Sequence, residues 1–190
     1  YEAMFFPHII ELYGIDHWDD SMAALEHMTQ FSSSEFAVRP FIVKSPKKMM
    51  KQMLRWSIHD NYHVRRLSSE GCRSRLPWAM ALPAFKKDPT LILPILEKLK
   101  NDESEYVRKS VANNINDITK DNPVLVKELA SRWLGENKNT DWIVKHGCRT
   151  LLKKADAEVL ALFGYIPGQK VDVLALAIAN KTVAIGGELN

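Results

Sequence analysis

The sequence predicts an all-α protein in which two-helix repeats stack into a superhelix, and three observations support this fold class. A good N-cap residue precedes a proline at Ser45-Pro46, Asp88-Pro89 and Asn122-Pro123, a pair typical of helix starts. Each pair opens an apolar run at helical spacing. A second segment with a matched signature follows each run, and the signatures recur at spacings typical of HEAT-like repeats.

The matched signature is a valine followed by two residues that are mostly basic. Its three clear copies and one weaker, earlier copy are Val64-Arg65-Arg66, Val107-Arg108-Lys109, Val144-Lys145-His146 and Val38-Arg39-Pro40. Ser32 and Glu35 precede the weaker copy, and their spacing predicts a capping box at a helix start. Successive valines lie 26, 43 and 37 residues apart. Since one helix pair cannot bury its apolar face alone, the pairs are expected to stack into a curved solenoid.

Helices are also expected elsewhere in the chain. Residues 7–31 and 61–75 carry helical patterns, and residues 156–163 predict a short helix that ends at Gly164. Residues 171–190 differ, because apolar residues there alternate with a period of two. That pattern predicts a strand, a turn and a second strand.

We therefore expect two parts, a HEAT-like repeat domain over residues 1–167 and a β-like tail over residues 168–190. Apolar residues make up 46% and charged residues 26% of the 190 residues, as in soluble globular proteins. No apolar run approaches the roughly 20 residues of a membrane helix, and no signal-peptide pattern occurs at the start. Cys72 and Cys148 stand alone within helical patterns, so both are expected to be reduced packing residues in an intracellular protein.

Charge is distributed unevenly, although the net charge is only +3. Residues 1–38 hold seven acids and no lysine or arginine, whereas residues 39–75 hold ten lysines and arginines and two acids. One segment thus carries the positive field. A polyanion is therefore the leading candidate partner.

Superimposing the three clear signatures on their valines separates the polar residues by position. One place after the valine come Arg65, Arg108 and Lys145. In HEAT-like repeats this position commonly forms a ladder with acids of adjacent repeats, which favours a structural role. The candidate acids are Asp60, Asp102 and Asp141.

Positions two, six, nine and ten after the valine form a polar stripe along the stacked helices. Its members are Arg66, Lys109 and His146, then Glu70, Asn113 and Thr150, and then Arg73, Ser74, Asn116, Asp117, Lys153 and Lys154. Such side chains suit phosphate oxygens, although a plain solvated face has the same pattern. Asparagine is an indifferent helix former, so its recurrence on the stripe has no local stability reason.

Several members of this region have alternative interpretations. Glu70 has Arg66 at i−4 and Arg73 at i+3, so it is either half of an ordinary ion pair worth about 0.3–0.5 kcal/mol or an acid kept for chemistry. Trp78 either fills the core or stacks on a base or sugar. His146 is a core residue, a phosphate contact or a titrating group, and no ligand spacing around it indicates a metal.

The sequence has no GxGxxG, GxxxxGK[ST], HExxH or GxSxG motif, so it gives no sign of the chemistry that those motifs carry. Four ordered blocks instead resemble the bacterial HEAT-like alkylpurine DNA glycosylases AlkC and AlkD, and AlkC more closely. With the intervening helices they cover roughly residues 5–165. The blocks are SEFAVRPFIVKSP (34–46), HVRRLSSEGCRSRLPWA (63–79), YVRKSVANNINDITKDNP (106–123) and WIVKHGCRTLLKK (142–154).

The resemblance implies excision of N3- and N7-alkylated purines by hydrolysis of the glycosidic bond, without a metal or organic cofactor. It implies that the carboxylates of Glu70 and Asp117 flank the damaged nucleotide and that Trp78 supports the lesion. The expected partner is alkylated double-stranded DNA, bound by a monomer in the bacterial cytoplasm, with no membrane partner. Other DNA contacts are expected from Arg66, Arg73, Arg75, Lys109, Asn113, Asn116, His146 and Arg149.

The match to AlkD is the weaker one. AlkD uses two tryptophans and an aspartate around the lesion, and His146 occupies a place where AlkD has one of the tryptophans. The β-like tail resembles the start of an immunoglobulin-like domain that follows the helical domain in some AlkC-like proteins. Two alternatives to a glycosylase remain, namely a non-catalytic HEAT-like DNA-binding protein and a protein-interaction scaffold.

Overall fold

A computed structural model describes residues 5–166 and Thr182 of this chain. Residues 5–166 contain twelve helices and no strand, so the all-α prediction is confirmed for them. The predicted β-like tail and the boundary at residue 167 lie outside the described residues, Thr182 excepted. The helices are α1 (Phe5–Tyr13), α2 (Trp18–Met28), α3 (Arg39–Lys44), α4 (Pro46–Trp56), α5 (Tyr62–Glu70), α6 (Pro83–Lys87), α7 (Leu93–Leu99), α8 (Glu105–Asp121), α9 (Pro123–Trp133), α10 (Lys138–Gly147), α11 (Arg149–Lys153) and α12 (Ala157–Leu162).

The helices pair into stacked repeats. Helix α4 packs on α5, α7 on α8 and α9 on α10, while α8 also packs between α5 and α10. The second helices α5, α8 and α10 thus form one layer, as the repeated signature predicted. No helix among residues 5–166 is long and apolar enough to cross a lipid bilayer.

Two of the three predicted helix starts are confirmed. Helix α4 begins at Pro46 after Ser45, and α9 begins at Pro123 after Asn122. The Asn122 side chain does not cap its own helix. Its Nδ2 donates to the carbonyl oxygen of Lys86 at 2.7 Å, which ties the start of α9 to the end of α6.

The helix start predicted at Asp88-Pro89 is wrong, because α7 begins only at Leu93. Residues 90–92 form turns, and the Asp88 carboxylate accepts from the backbone N–H of Thr90 at 3.0 Å. A helix from Pro89 would carry Pro94 in its second turn, where a proline has no N–H for the ladder and its ring clashes with the preceding turn. Helix α7 therefore begins only at Leu93, where Pro94 lies in its first turn.

The capping box predicted for Ser32 and Glu35 is also wrong. Residues 35–38 form turns and α3 begins at Arg39. The Glu35 carboxylate accepts from the Ser33 hydroxyl at 2.7 Å and forms an ion pair with Arg66. A long-range charge partner thus replaces the local helix cap.

The helix predicted over residues 61–75 ends early, at Glu70, with Gly71 as its C-cap. A Cβ on Gly71 would lie 2.6 Å from Cγ2 of Val38, so the chain turns where it is packed against the preceding repeat. Arg73 consequently follows the helix instead of lying on it. The short helix at the C-terminal end of the described part is confirmed as α12, and Gly164 follows it with φ +75°.

The core is a continuous apolar cluster between the paired helices, with Met53, Leu67 and Trp133 among its buried members. Cys72 and Cys148 are buried, free thiols within it. Burial raises the pKa of Cys72 to about 12 and that of Cys148 to about 11. Both cysteines are therefore packing residues, as predicted.

The close approach of α10 to α8 gives a first testable prediction. A Cβ on Gly147 would lie 2.6 Å from Cγ2 and 2.9 Å from Cβ of Ile115. Overpacking of this kind costs about 1–3 kcal/mol, more than the helix preference of alanine returns. Gly147→Ala should therefore lower the free energy of unfolding in urea, whereas exposed Ser131→Ala should change it by less than about 0.5 kcal/mol. A stabilised Gly147→Ala would contradict the packing.

Candidate functional site

Five side chains form a chain of alternating charge across three consecutive repeats. Arg66 pairs with Glu35 and lies 3.5 Å from Glu70, and Arg73 donates to Glu70 at 2.6 Å. The Nε of Arg73 donates to the Asp117 carboxylate at 2.8 Å. We call this set, in the order Glu35, Arg66, Glu70, Arg73 and Asp117, the carboxylate–arginine chain.

Each member is positioned by a different local feature. Glu35 lies in the turns before α3, Arg66 and Glu70 face the same side of α5, and Asp117 lies on α8. Arg73 follows the C-terminal end of α5, so its guanidinium reaches the acid of its own repeat and that of the next. The sequence-predicted acids Glu70 and Asp117 are therefore brought together, with one arginine between them.

The Asp117 end of the carboxylate–arginine chain is more deeply buried than the Glu35 end. The exposed fraction of the side chain is 16% for Glu35 but 2% for Asp117. The second carboxylate oxygen of Glu70 accepts from the hydroxyl of Ser110 on α8 at 2.6 Å. Lys120, at the solvent side, lies 3.1 Å from the Asp117 carboxylate. These contacts hold both acids in fixed orientations.

The less buried end opens into a surface cavity of about 140 Å³. Arg66 and His63 on α5, Tyr106 on α8 and Phe31 line it, and the Arg66 guanidinium lies 4.9 Å from the centre of the Tyr106 ring. Burial, together with the charge of Arg66, lowers the pKa of His63 below its usual value. The cavity therefore combines aromatic walls with one guanidinium and a neutral imidazole.

Arg39 supports this site from behind, although sequence reasoning assigned it no role there. Its fully buried guanidinium donates to the carbonyl oxygens of Met80, Gly71 and Arg73 at 2.7, 2.9 and 3.0 Å. Among the described residues no acid pairs with it, and its Nη2 has no hydrogen-bond partner. Burial lowers its pKa to about 10. Arg39 thus fixes the backbone on both sides of Arg73.

A second polar cluster, of His146, Asn113 and Arg149, lies on α8, α10 and α11. The His146 ring stacks on Trp142 at 5.0 Å with an interplanar angle of 11°, and Arg149 donates to the His146 carbonyl and the Asn113 side chain at 2.8 and 3.1 Å. Burial, followed by the charges of Arg149 and Lys109, lowers the pKa of His146. His146 is therefore a half-buried, neutral residue, and Trp142 is its stacking partner.

Other predicted contacts are already paired within the protein. The buried side chain of Asn116 accepts from the Thr150 hydroxyl at 2.8 Å. Arg75 forms a two-pronged ion pair with Asp121 at 2.6 and 2.8 Å, and exposed Lys109 pairs with Glu105. Arg75 and Lys109 remain reachable from solvent, whereas Asn116 is a link between helices.

Trp78 is 99% exposed, so the interpretation that it fills the core is wrong. It lies between the buried anchors Leu76 and Leu82 and has a positive φ of 61°, rare for a residue with a side chain. An aromatic ring presented in this way is suited to stacking on a ligand. Stacking on a nucleobase or sugar stays a prediction.

The residue after each signature valine was predicted to pair with an acid of an adjacent repeat, and Arg65 confirms this prediction. Its guanidinium donates to the Asp102 carboxylate of the next repeat at 2.6 and 3.1 Å. Arg108 instead donates to the carbonyl oxygens of Asp102 and Glu103. The same position in the weaker signature is Arg39, so the alignment contained a signal for its structural role.

Sequence reasoning missed Glu35 and Ser110 as members of the site. The sequence pattern predicts a helix cap for Glu35, and Ser110 lies three places after the valine, off the polar stripe. A search for acids facing the arginines of the next repeat would have found Glu35. Among the described residues no group of three or more histidines, cysteines or acids is arranged to hold a metal ion.

The protein is a helical-repeat protein with a charged site: a chain of carboxylates and arginines lies on and beside the second helices of its stacked two-helix repeats. A family model described as DNA alkylation repair enzyme matches residues 16–153, most of the chain. The chain belongs to the DNA alkylation repair enzyme family.

Two solved structures and one relative are similar to it. The alkylpurine DNA glycosylase AlkC of Pseudomonas fluorescens, bound to DNA with an abasic site analog, matches with a TM-score of 0.82 and 47% identity over 85% of this chain and 45% of that one. AlkD2 of Streptococcus mutans matches with a TM-score of 0.52 and 30% identity over 74% and 63% of the two chains. The uncharacterized protein YhaZ of Bacillus subtilis (strain 168) is 54% identical over 187 residues, 98% of this chain and 52% of that protein.

These likenesses confirm the HEAT-like repeat fold and the family predicted from the sequence. The chain spans about half the length of AlkC and of YhaZ.

The position of Arg73 gives a second prediction. Arg73→Gln would leave the buried carboxylates of Glu70 and Asp117 without their shared partner, which costs about 3–5 kcal/mol in buried networks. Arg75→Gln is the matched control, because it removes a surface pair with Asp121 worth at most about 1 kcal/mol. Urea unfolding of the two variants measures the difference. Equal losses would show that the Arg73 pairs are not the buried pairs described.

Arg39 gives a third prediction. A lysine ammonium cannot reproduce the planar fork that reaches three carbonyl oxygens, and hydrogen bonds from charged groups contribute about 1.5–3 kcal/mol each. Arg39→Lys should therefore lower the free energy of unfolding by about 2–4 kcal/mol, although the charge is kept. The exposed, equivalent change Arg55→Lys should leave unfolding in urea unaltered. Similar stability of both variants would exclude the three-carbonyl role.

Proposed function

We propose that this chain contributes the catalytic repeats of a DNA glycosylase that hydrolyses the N-glycosidic bond of N3- and N7-alkylated purines in duplex DNA. Family membership and the likeness to AlkC, bound to DNA with an abasic site analog, support this proposal. The observation that carries it is the pair Glu70 and Asp117, two buried carboxylates held side by side by Arg73.

The chemistry needs little more than a carboxylate. An N3- or N7-alkylated purine already carries a positive charge, so the base leaves as a neutral molecule with the bonding electrons and needs no proton from a general acid. The positive charge moves to the deoxyribose, where a water molecule adds and loses a proton. A fixed carboxylate can stabilise this charge and orient the water, and the step uses no metal or organic cofactor.

The size of this effect is sufficient for a labile bond. A carboxylate about 4 Å from the sugar cation, at an effective dielectric constant near 20, contributes about 4 kcal/mol. That energy corresponds to about a thousandfold in rate. Glu70 and Asp117 carry this role in the proposal, and Glu35 at the open end of the carboxylate–arginine chain adds a third negative charge.

DNA would reach the site from the open end. Arg66 is the less buried of the two arginines in the chain, so a phosphate can compete with the acids for its donors. Lys109, Asn113, His146 and Arg149 supply further polar contacts on and beside the second helices. Arg75 can exchange its acid partner for phosphate, whereas Arg73 acts by holding the two buried acids. Asn116 acts through its bond to Thr150, and Trp78 stacks beside the lesion.

One observation favours a second candidate function, a DNA-binding protein of the same family without catalysis. Glu70 and Asp117 are both neutralised by Arg73 and are almost inaccessible to solvent. A protein in which these pairs never open would bind duplex DNA but release no base.

Release of methylated purines from alkylated duplex DNA tests the proposal. Glu70→Gln and Asp117→Asn keep hydrogen-bonding groups at the site but remove the charge, and each should slow release by about a hundredfold to a thousandfold. Glu128→Gln, an exposed change on α9, is the matched control and should act at the original rate. Circular dichroism and duplex-binding measurements establish that each variant is folded.

The outcomes separate the alternatives. Unchanged release by both carboxylate variants would contradict their proposed role. Salt-sensitive duplex binding without any base release would identify the non-catalytic DNA-binding protein. A folded chain that neither binds duplex DNA nor releases a base would contradict both DNA-directed functions.

A further inference from the structure

The ten lysines and arginines of residues 39–75 fall into three groups in the structure. Five have an acid within 4 Å, and these are Lys44, Arg65, Arg66, Arg73 and Arg75. Arg39 is fully buried. The other four are exposed and have no acidic partner within the described residues, and these are Lys47, Lys48, Lys51 and Arg55. The free positive charge of this segment therefore lies on α4, not on the second helices.

Lys48, Lys51 and Arg55 form one stripe along α4, which we call the α4 basic stripe. Their spacing of three and four residues places them on one face of the helix, over a length of about 10 Å. Met49, Met50, Met53 and Trp56 bury the opposite face in the core. No acid occurs between Glu35 and Asp60, so no neighbour along the helix neutralises the stripe.

The surface beside the stripe has a defined shape. Two clefts of about 200 Å³ each meet at Trp18, and Lys48 lines both of them. The Lys48 ammonium lies 3.9 Å from the centre of the Trp18 ring, which holds this cation in place. The first cleft also contains Asp16, whose charge is taken up by Lys44. The other cleft is lined by Trp18, Lys48, Lys51, Gln52 and Arg55, with no acid among them.

We propose that the α4 basic stripe binds the phosphate backbone of duplex DNA outside the damaged nucleotide. Cations spaced regularly along one face of a helix can each contact a phosphate of the regularly charged DNA backbone. Helix α4 packs on α5 through its buried face, so the stripe faces away from that packed side and is separate from the carboxylate–arginine chain. The inference rests on the proposal that DNA is the partner but does not require base release.

The salt dependence of binding tests this surface quantitatively. Each phosphate neutralised by a cation contributes about 0.9 to the slope of log affinity against log salt for duplex DNA. The triple variant Lys48→Gln, Lys51→Gln, Arg55→Gln should therefore lower the magnitude of that slope by about 2–3. Between 50 and 200 mM salt, the affinity of the unaltered chain should fall up to about fortyfold more steeply than that of the variant.

A matched control changes the net charge equally at other places. Lys87, Lys98 and Lys138 are exposed lysines on α6, α7 and α10, with no acid within 4 Å among the described residues. Changing all three to glutamine should alter the slope of log affinity against log salt by no more than about 0.5. A slope reduced equally by both triple variants, or by neither, would overturn the proposal, as would failure of the unaltered chain to bind duplex DNA.

Duplex length distinguishes the two possible sources of phosphate. If the stripe holds the arms of the damaged duplex, the slope difference should occur with duplexes of about 40 base pairs and vanish with duplexes of about 10. If the difference persists with the short duplex and two duplexes bind each chain, the stripe holds a second duplex. Single-turnover base release at saturating protein should be unaltered in the stripe variant. An unaltered chain that releases no base but shows the slope difference would contradict only the proposed function.

Discussion

The bridge that Arg73 makes between Glu70 and Asp117 is the interaction on which the site depends. Two carboxylates this deeply buried cannot stay charged without a partner, and one guanidinium serves both through different nitrogen atoms. A lysine has no such fork. Arg73 can make both contacts because α5 ends at Glu70 and the chain turns at Gly71 toward the next repeat. The end of a helix thus decides where the two acids lie.

The carboxylate–arginine chain has one acid more than it has arginines, and two further cations lie close to it. Lys120 at the solvent side contacts Asp117. Arg39 is the buried one of the two, although it contacts backbone carbonyls and no acid. Its charge is stabilised by Asp117 and Glu35 and opposed by Arg73. Arg39 therefore fixes the loop that carries Arg73 and also compensates the acids at longer range.

More of the fold than of the site can be predicted from the sequence, and the reason is physical. Helical periodicity and N-cap–proline pairs are local signals, so the paired helices, the starts of α4 and α9 and the ladder partner of Arg65 were predictable. The start of α7 depends on Pro94, which lies in the first turn of that helix because a proline cannot join the hydrogen-bond ladder further along. The role of Glu35 depended on Arg66 in the next repeat, and the exposure of Trp78 depended on its anchors Leu76 and Leu82. The first contact joins distant residues and the second lies in an irregular loop, so neither leaves a periodic pattern.

Long-range contacts also decide which positive charges of residues 39–75 remain unpaired. A count of charges gives six lysines and arginines and no acid over residues 39–58, and four arginines with two acids over residues 59–75. Those arginines face acids of neighbouring repeats, so at the distance of a DNA phosphate their fields are largely cancelled. The cations of α4 have no such neighbours and set the local potential instead. Under the proposed function, the paired arginines would hold and orient the acids, and the free cations would supply the sequence-independent part of DNA affinity.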